Sequence, residues 1–71
     1  MREKLIKNLN RMSYMYIDLG DKIIVGFSEK TVVYKILEDK LHVTVYDLDD
    51  KIIACKEYKY ARCAVIFAYN I

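Results

Sequence analysis

The chain has no proline, no tryptophan, two glycines, two cysteines and one histidine among its 71 residues. Two glycines are too few for a glycine-rich loop that wraps a phosphate group. The two thiols and one imidazole match no zinc-ligand spacing, so we expect no metal and no other cofactor. No apolar run approaches the roughly 20 residues that a membrane-spanning helix requires. The first residues also lack the apolar core of a signal peptide, and together these absences predict a cytoplasmic protein that makes no membrane contact.

The charge balance is close to neutral, with a formal net charge of +2. This charge is too small for a polycation that condenses on nucleic acid, and it also excludes a heavily acidic mimic of DNA. Hydrophobic residues make up 55% of the chain, which is high for a single domain of 71 residues. The surplus apolar surface predicts that a partner or a second copy of the chain covers part of it.

A seven-residue phrase occurs twice, as DLGDKII at 18–24 and as DLDDKII at 47–53. In each copy a polar turn leads into a β-branched run, which is typical of a hairpin loop that feeds its return strand. An internal duplication of a three-stranded unit would explain the similarity. Two unrelated hairpins that use the same turn chemistry would explain it as well.

The spacing of apolar residues predicts one domain over residues 1–71 that is α+β and rich in β-structure. Residues 2–11 form an amphipathic helix with Leu5, Ile6 and Leu9 on one side. From residue 13 to residue 69, apolar runs separated by short polar turns predict a five- to six-stranded antiparallel meander, a curled sheet or a small barrel. The predicted strands are 13–18, 22–28, 31–37, 41–47, 51–57 and 61–69.

The segment 61–69 is apolar on both faces and has two interpretations. Five regular strands precede it, which favours a sixth strand, but Tyr60, Cys63, Ala64 and Phe67 also keep helical spacing. As a strand at the sheet edge it would expose unpaired backbone groups, which predicts closure into a barrel or a homodimer. A hairpin turning about Lys59 would also place Cys55 opposite Cys63, where oxidation is geometrically feasible although reduced thiols are expected.

The inventory of catalytic groups is poor, and we expect a protein that is not an enzyme. His42 is the only side chain that ordinarily titrates near neutral pH, and it lies in mid-strand with no serine or cysteine nearby in sequence. It is interpreted as a surface histidine. The carboxylates Asp47, Asp49 and Asp50 lack the distal glutamate that closes a calcium loop, so they are interpreted as turn formers and not as metal ligands.

Two groups of side chains suit surface recognition. The predicted binding surface comprises Lys56, Tyr58, Lys59, Tyr60 and Arg62 at the last hairpin, together with Tyr46. Rings beside cations are typical of protein interface hot spots and of single-stranded nucleic acid binding. Lys4, Lys7 and Arg11 form a secondary basic face on the N-terminal helix. If these three residues bind no partner, their role is to keep the outer side of the helix soluble.

The sequence therefore predicts a small protein-binding module that acts on a host or cognate protein and pairs with itself as a homodimer. The composition, without proline and rich in Tyr, Lys and Ile, fits an AT-rich genome. A phage or mobile-element accessory protein that inhibits a host defence protein by surface occlusion has these properties. The alternative is a single-stranded nucleic-acid-binding β protein that uses the cluster at 56–62.

Overall fold

The computed structural model describes residues 1–71 and contains two helices and five strands. The elements are α1 (Arg2–Arg11), β1 (Tyr16–Asp18), β2 (Lys22–Gly26), β3 (Thr31–Ile36), β4 (Leu41–Tyr46), β5 (Ile52–Tyr58) and α2 (Ala61–Asn70). All neighbouring strands are antiparallel and follow chain order, β1-β2-β3-β4-β5. The predicted α+β class with an antiparallel meander is confirmed. The sheet is not closed, because β1 and β5 are free edges, so the small-barrel alternative is wrong. Neither helix has the length and hydropathy needed to cross a membrane.

Both helices cover the same face of the sheet, and one hydrophobic core lies between the two layers. Alternate residues of the central strands point into this core because successive side chains of a strand face opposite sides. The buried apolar residues are Leu5, Leu9, Ile23, Val25, Val32, Tyr34, Leu41, Val43, Val45, Ala61, Ala64, Val65 and Ala68. The other face of the sheet has no layer packed against it.

The end of α1 explains why β1 begins later than the predicted strand 13–18. The backbone N–H of Ser13 donates to Asn10 O and that of Tyr14 donates to Leu9 O, each at 3.0 Å. Ser13 has a φ of 61°, in the left-handed region. This pair of bonds is a Schellman motif, which satisfies carbonyl groups that the helix leaves free and reverses the chain before it can extend.

The two copies of the repeated phrase form different turns. In the first copy Gly20 takes the positive φ of 93°, and its N–H donates to Asp18 Oδ1 at 2.9 Å. In the second copy the glycine is replaced by aspartate, and the positive φ moves one position on, to Asp50 at 62°. The carboxylate of Asp47 accepts two backbone N–H bonds there, and the strand register shifts beside Tyr46. The same phrase is therefore compatible with two loop geometries, because the position of the positive φ sets the turn type.

The predicted sixth strand at 61–69 is wrong, since these residues form α2. Ala61, Ala64, Val65 and Ala68 are buried at intervals of three, one and three residues, which is one face of a helix. Alanine has the highest helix propensity, and its small side chain lets α2 approach α1 and the sheet closely. The preceding five strands were no guide to this segment. An internal duplication would make 61–69 the repeated counterpart of the predicted strand 31–37, and this correspondence is wrong because one segment is a helix and the other a strand.

The two cysteines lie on different elements and do not face each other. Cys55 is on β5 and Cys63 is in the first turn of α2, and both are free and exposed. Cys55 is opposite Thr44 on the uncovered face of the sheet, whereas α2 covers the other face. The predicted arrangement across a hairpin about Lys59 is therefore wrong, because the chain continues from strand to helix at that point.

Candidate binding cleft between the two helices

A cleft of about 390 Å³ lies where α1 runs beside the start of α2. From α1 it is lined by residues that recur every three or four positions and so share one stripe of the helix. From the other side it is lined by the β5–α2 junction and the first turn of α2. We call this the basic cleft; its polar lining residues are Lys4, Lys7, Asn8, Arg11, Lys59, Tyr60 and Arg62.

The basic cleft concentrates positive charge without a compensating carboxylate. Five of its lining residues are lysine or arginine, and none is aspartate or glutamate. The ion pairs of the structure join Arg2 to Asp18 and connect Lys40 and His42 to Glu57, so none involves a cation of the cleft. Close like charges raise the free energy of the unbound protein, and an anionic ligand would relieve this repulsion.

The N-terminus of α2 adds to the positive potential of the basic cleft. Tyr60 is the N-cap residue, with φ −120° and ψ 131°, and no side chain caps the helix. The first turn of α2 contains no acidic residue. The first backbone N–H groups of a helix have no partner within it, and the helix dipole places partial positive charge at that end. Tyr60 itself is 70% exposed beside these groups.

A second depression of about 380 Å³ continues from the basic cleft along the two helices. It shares Asn8, Arg11 and Arg62 with the cleft, so the two are contiguous. We call it the apolar groove; its further lining residues are Met12, Val65, Ile66 and Tyr69. Except for Val65 these apolar side chains are exposed. The combined surface is basic at one end and apolar at the other.

The structure brings together two groups of residues that the sequence treated as separate. Lys59, Tyr60 and Arg62 of the predicted binding surface line the same cleft as Lys4, Lys7 and Arg11 of the secondary basic face. The sequence does not show that the two groups are neighbours, because they become so only when α1 packs beside α2.

The remaining members of the predicted binding surface lie elsewhere. The Tyr58 ring is half-buried and packs on Phe67 of α2, with ring centroids 5.4 Å apart. The ammonium of Lys56 lies 5.5 Å from the Tyr58 ring centroid. Tyr46 alternates with the buried Val45 and so lies on the uncovered face of the sheet. None of these three lines the basic cleft, and the predicted hairpin at 56–62 is a strand that leads into a helix.

Sequence reasoning missed the apolar groove because it assigned 61–69 to a strand. As a helix, the segment places Arg62, Ile66 and Tyr69 at spacings of four and three residues, which is one stripe. Helical spacing was the signal that would have identified this stripe.

The aspartates of the second repeat behave as turn formers. Asp47 Oδ1 accepts hydrogen bonds from the backbone N–H groups of Asp49 and Lys51, both at 2.9 Å. The structure contains no group of three or more His, Cys, Asp or Glu side chains arranged to hold a metal ion.

Comparison of the chain with protein-family models, with curated proteins and with solved structures found no match. The functional interpretation therefore depends on the chemistry of the residues themselves.

Proposed function

We propose that the protein is a non-enzymatic binding module that recognises an acidic partner protein through the basic cleft and the apolar groove. The observation that carries this proposal is the continuity of the two depressions through Asn8, Arg11 and Arg62. A ligand that fills both must present anionic groups to one end and apolar groups to the other. A protein segment with carboxylate and apolar side chains meets this requirement.

The energetic roles of the two ends differ. The exposed apolar residues Ile66 and Tyr69 would lose water on binding and supply most of the affinity, as buried aromatic and aliphatic anchors do in interfaces. The five cations would steer an acidic partner towards the cleft and fix its orientation. Binding is therefore expected to depend on both ends, and the association rate is expected to fall as salt increases.

The test is affinity capture from bacterial lysate, with and without nuclease, using matched charge-reversal variants. In the cleft variant Arg11→Glu is combined with Arg62→Glu, and in the control variant Lys22→Glu is combined with Lys35→Glu. The two control lysines are opposite each other in the pairing of β2 with β3, on exposed positions away from both helices. Both variants change the net charge equally.

We expect a partner that is captured with and without nuclease by the unaltered protein and by the control variant, and is lost with the cleft variant. Ile66→Ala should weaken capture while leaving the unfolding transition nearly unchanged, since Ile66 is outside the core. Capture that is indifferent to Arg11, Arg62 and Ile66 would contradict this binding surface.

Single-stranded nucleic acid is the second candidate ligand, favoured by the exposed rings of Tyr60 and Tyr69 beside unpaired cations. Binding that neutralises five phosphates should weaken by about a hundredfold between about 50 and 200 mM salt. Fluorescence anisotropy with a labelled oligothymidylate measures this directly. Capture that disappears with nuclease, together with this salt dependence, would favour the nucleic-acid function over the protein partner.

The biological role that the composition favours is that of a phage or mobile-element accessory protein that occludes a host defence protein. An inhibitor of this kind needs no catalytic group, only a complementary surface. Identification of the captured partner by mass spectrometry tests this role, and a partner unrelated to defence would contradict it.

A further inference from the structure

The uncovered face of the sheet brings a thiol into contact with the single imidazole of the chain. Cys55 Sγ lies 3.0 Å from His42 Nε2, and the opposite ring nitrogen, Nδ1, lies 3.4 Å from Glu57 Oε2. The strand pairing explains this arrangement. His42 is opposite Glu57 and Thr44 is opposite Cys55, so the thiol is a diagonal neighbour of the imidazole on the same face.

The carboxylate of Glu57 determines which nitrogen of His42 carries the proton. Lys40 Nζ donates to Glu57 Oε1 at 3.1 Å. The hydrogen bonds from Lys40 and His42 and the charge of Lys40 lower the pKa of Glu57, so this side chain is ionised at neutral pH. An ionised carboxylate only accepts hydrogen bonds, which makes Nδ1 of His42 the donor. In the neutral imidazole Nε2 is then the acceptor, and it faces the S–H group of Cys55.

The arrangement suits proton transfer and not metal binding. Glu57 and Cys55 contact opposite sides of the His42 ring, so the three groups form a chain and do not converge on one point. An imidazole that accepts the thiol proton, and is oriented by a carboxylate on its far side, is the general arrangement of an activated nucleophile.

We propose that Cys55 is a nucleophilic thiol, activated by His42, that exchanges with low-molecular-weight disulfides. His42 Nε2 takes the proton of Cys55, and the thiolate attacks one sulfur of the disulfide RSSR. The bond between Cys55 Sγ and that sulfur forms while the RS–SR bond breaks. The leaving RS⁻ takes the proton from His42, so one RSH is released, Cys55 is oxidised to a mixed disulfide and the leaving sulfur is reduced.

Access to the thiol supports this proposal. Cys55 is exposed, and the side chain of His42 is 34% exposed. Neither residue lines one of the three surface depressions, so the site is an open sheet face. An open face with no substrate pocket admits a small reagent in solution. The mixed disulfide would add a polar group to the face opposite the basic cleft.

The experiment uses the full chain with Cys63→Ser, so that Cys55 is the only thiol. The rate of reaction with excess 2-hydroxyethyl disulfide, an uncharged reagent, is followed by intact mass at neutral pH. The same chain unfolded in urea supplies the rate of a thiol without a neighbouring imidazole. His42→Gln in this background removes the base but keeps hydrogen-bonding groups, and circular dichroism checks that this variant is folded.

We expect the folded chain to react at least about tenfold faster than the unfolded chain and than the His42→Gln variant, as assistance by a positioned base provides. Glu57→Gln should give a smaller loss, because it removes only the group that orients the imidazole. Equal rates with His42 and with glutamine at this position would overturn the proposal, as would a folded chain that reacts more slowly than the unfolded one.

Discussion

Tyr34 is the largest fully buried side chain of the core, and its hydroxyl has no hydrogen-bond partner. The hydroxyl of Tyr14 is also buried without a partner. A buried polar group that makes no hydrogen bond has lost its contacts with water without replacement, which costs about 1 to 3 kcal/mol. At the residue scale this hydroxyl opposes folding, while the ring of Tyr34 contributes by filling the core.

Tyr34→Phe should therefore raise the free energy of unfolding by about 1 kcal/mol, since it removes the hydroxyl and keeps the ring. Urea unfolding at neutral pH, followed by circular dichroism, measures this difference. A loss of stability of the same size would show that the hydroxyl has a partner in solution.

The same substitution should alter the alkaline limb of the stability curve. Burial, and then the nearby Tyr14, raise the pKa of Tyr34 above its ordinary value of 10.0. Below pH 10 the phenol is neutral in both the folded and the unfolded state. Above pH 10 the unfolded chain loses the phenol proton while the folded protein keeps it, so the free energy of unfolding falls as the pH rises. The unfolding free energy of Tyr34→Phe should fall less steeply above pH 10 than that of the unaltered protein.

At the scale of elements, the end of α2 depends on a residue far away in sequence. Lys30, in the turn between β2 and β3, donates from Nζ to the carbonyl of Ala68 at 2.7 Å. Its ammonium also lies 5.1 Å from the Phe27 ring centroid. The last carbonyls of a helix lack partners and carry partial negative charge, so a cation there is stabilising. The last turn of α2 has no basic residue of its own, and Lys30 supplies this charge.

Lys30→Met should lower the free energy of unfolding by about 1 kcal/mol, because it keeps the aliphatic chain but removes the charged donor. Lys35→Met is the matched control, since Lys35 is exposed on β3 and takes part in no ion pair of the structure. Chemical denaturation of both variants measures the difference. If the two substitutions have the same effect, Lys30 does not stabilise the end of α2.

At the scale of the whole molecule, stability is limited by size. A domain of 71 residues is expected to have a free energy of unfolding of about 4 to 11 kcal/mol. The core is a single cluster between one sheet face and two helices, and Leu5 and Leu9 are the fully buried residues that α1 contributes to it. Truncation of either side chain would therefore remove a large part of the free energy of unfolding.

Leu9→Ala should destabilise the protein by about 2 to 5 kcal/mol, through lost burial and the cavity that remains. Leu48→Ala is the control, because Leu48 is 73% exposed in the turn before β5, and we expect a change of less than about 0.5 kcal/mol. Thermal and urea unfolding report both. A loss near 0.5 kcal/mol for Leu9→Ala would mean that α1 is not an integral part of the core.

The oligomeric state stays a prediction, but one of the two reasons for a homodimer no longer holds. That reason is an apolar edge strand at 61–69, and this segment is a helix with one face packed on the core. The free edges of the sheet are β1 and β5 instead. Light scattering over a range of protein concentrations distinguishes a monomer from a homodimer.

The sequence by itself determined the local elements. The spacing of Leu5 and Leu9 predicts α1, and the alternation of residues 41–46 predicts β4, because the periods of helix and strand are visible in short windows. The repeated phrase placed two turns at the correct positions, although the identity of the residue with positive φ differs between them. The short connections also predicted the meander, since neighbouring strands joined by tight turns pair antiparallel.

Only the tertiary structure decided how distant segments meet. Whether 61–69 is strand or helix depends on the small residues Ala61, Ala64 and Ala68 finding a surface to pack against, and a short apolar window is compatible with both. The basic cleft exists because α1 and α2 lie side by side, and the contact of Cys55 with His42 exists because β4 pairs with β5 in one register. These relations are set by packing and register over the whole chain, and no local pattern contains them.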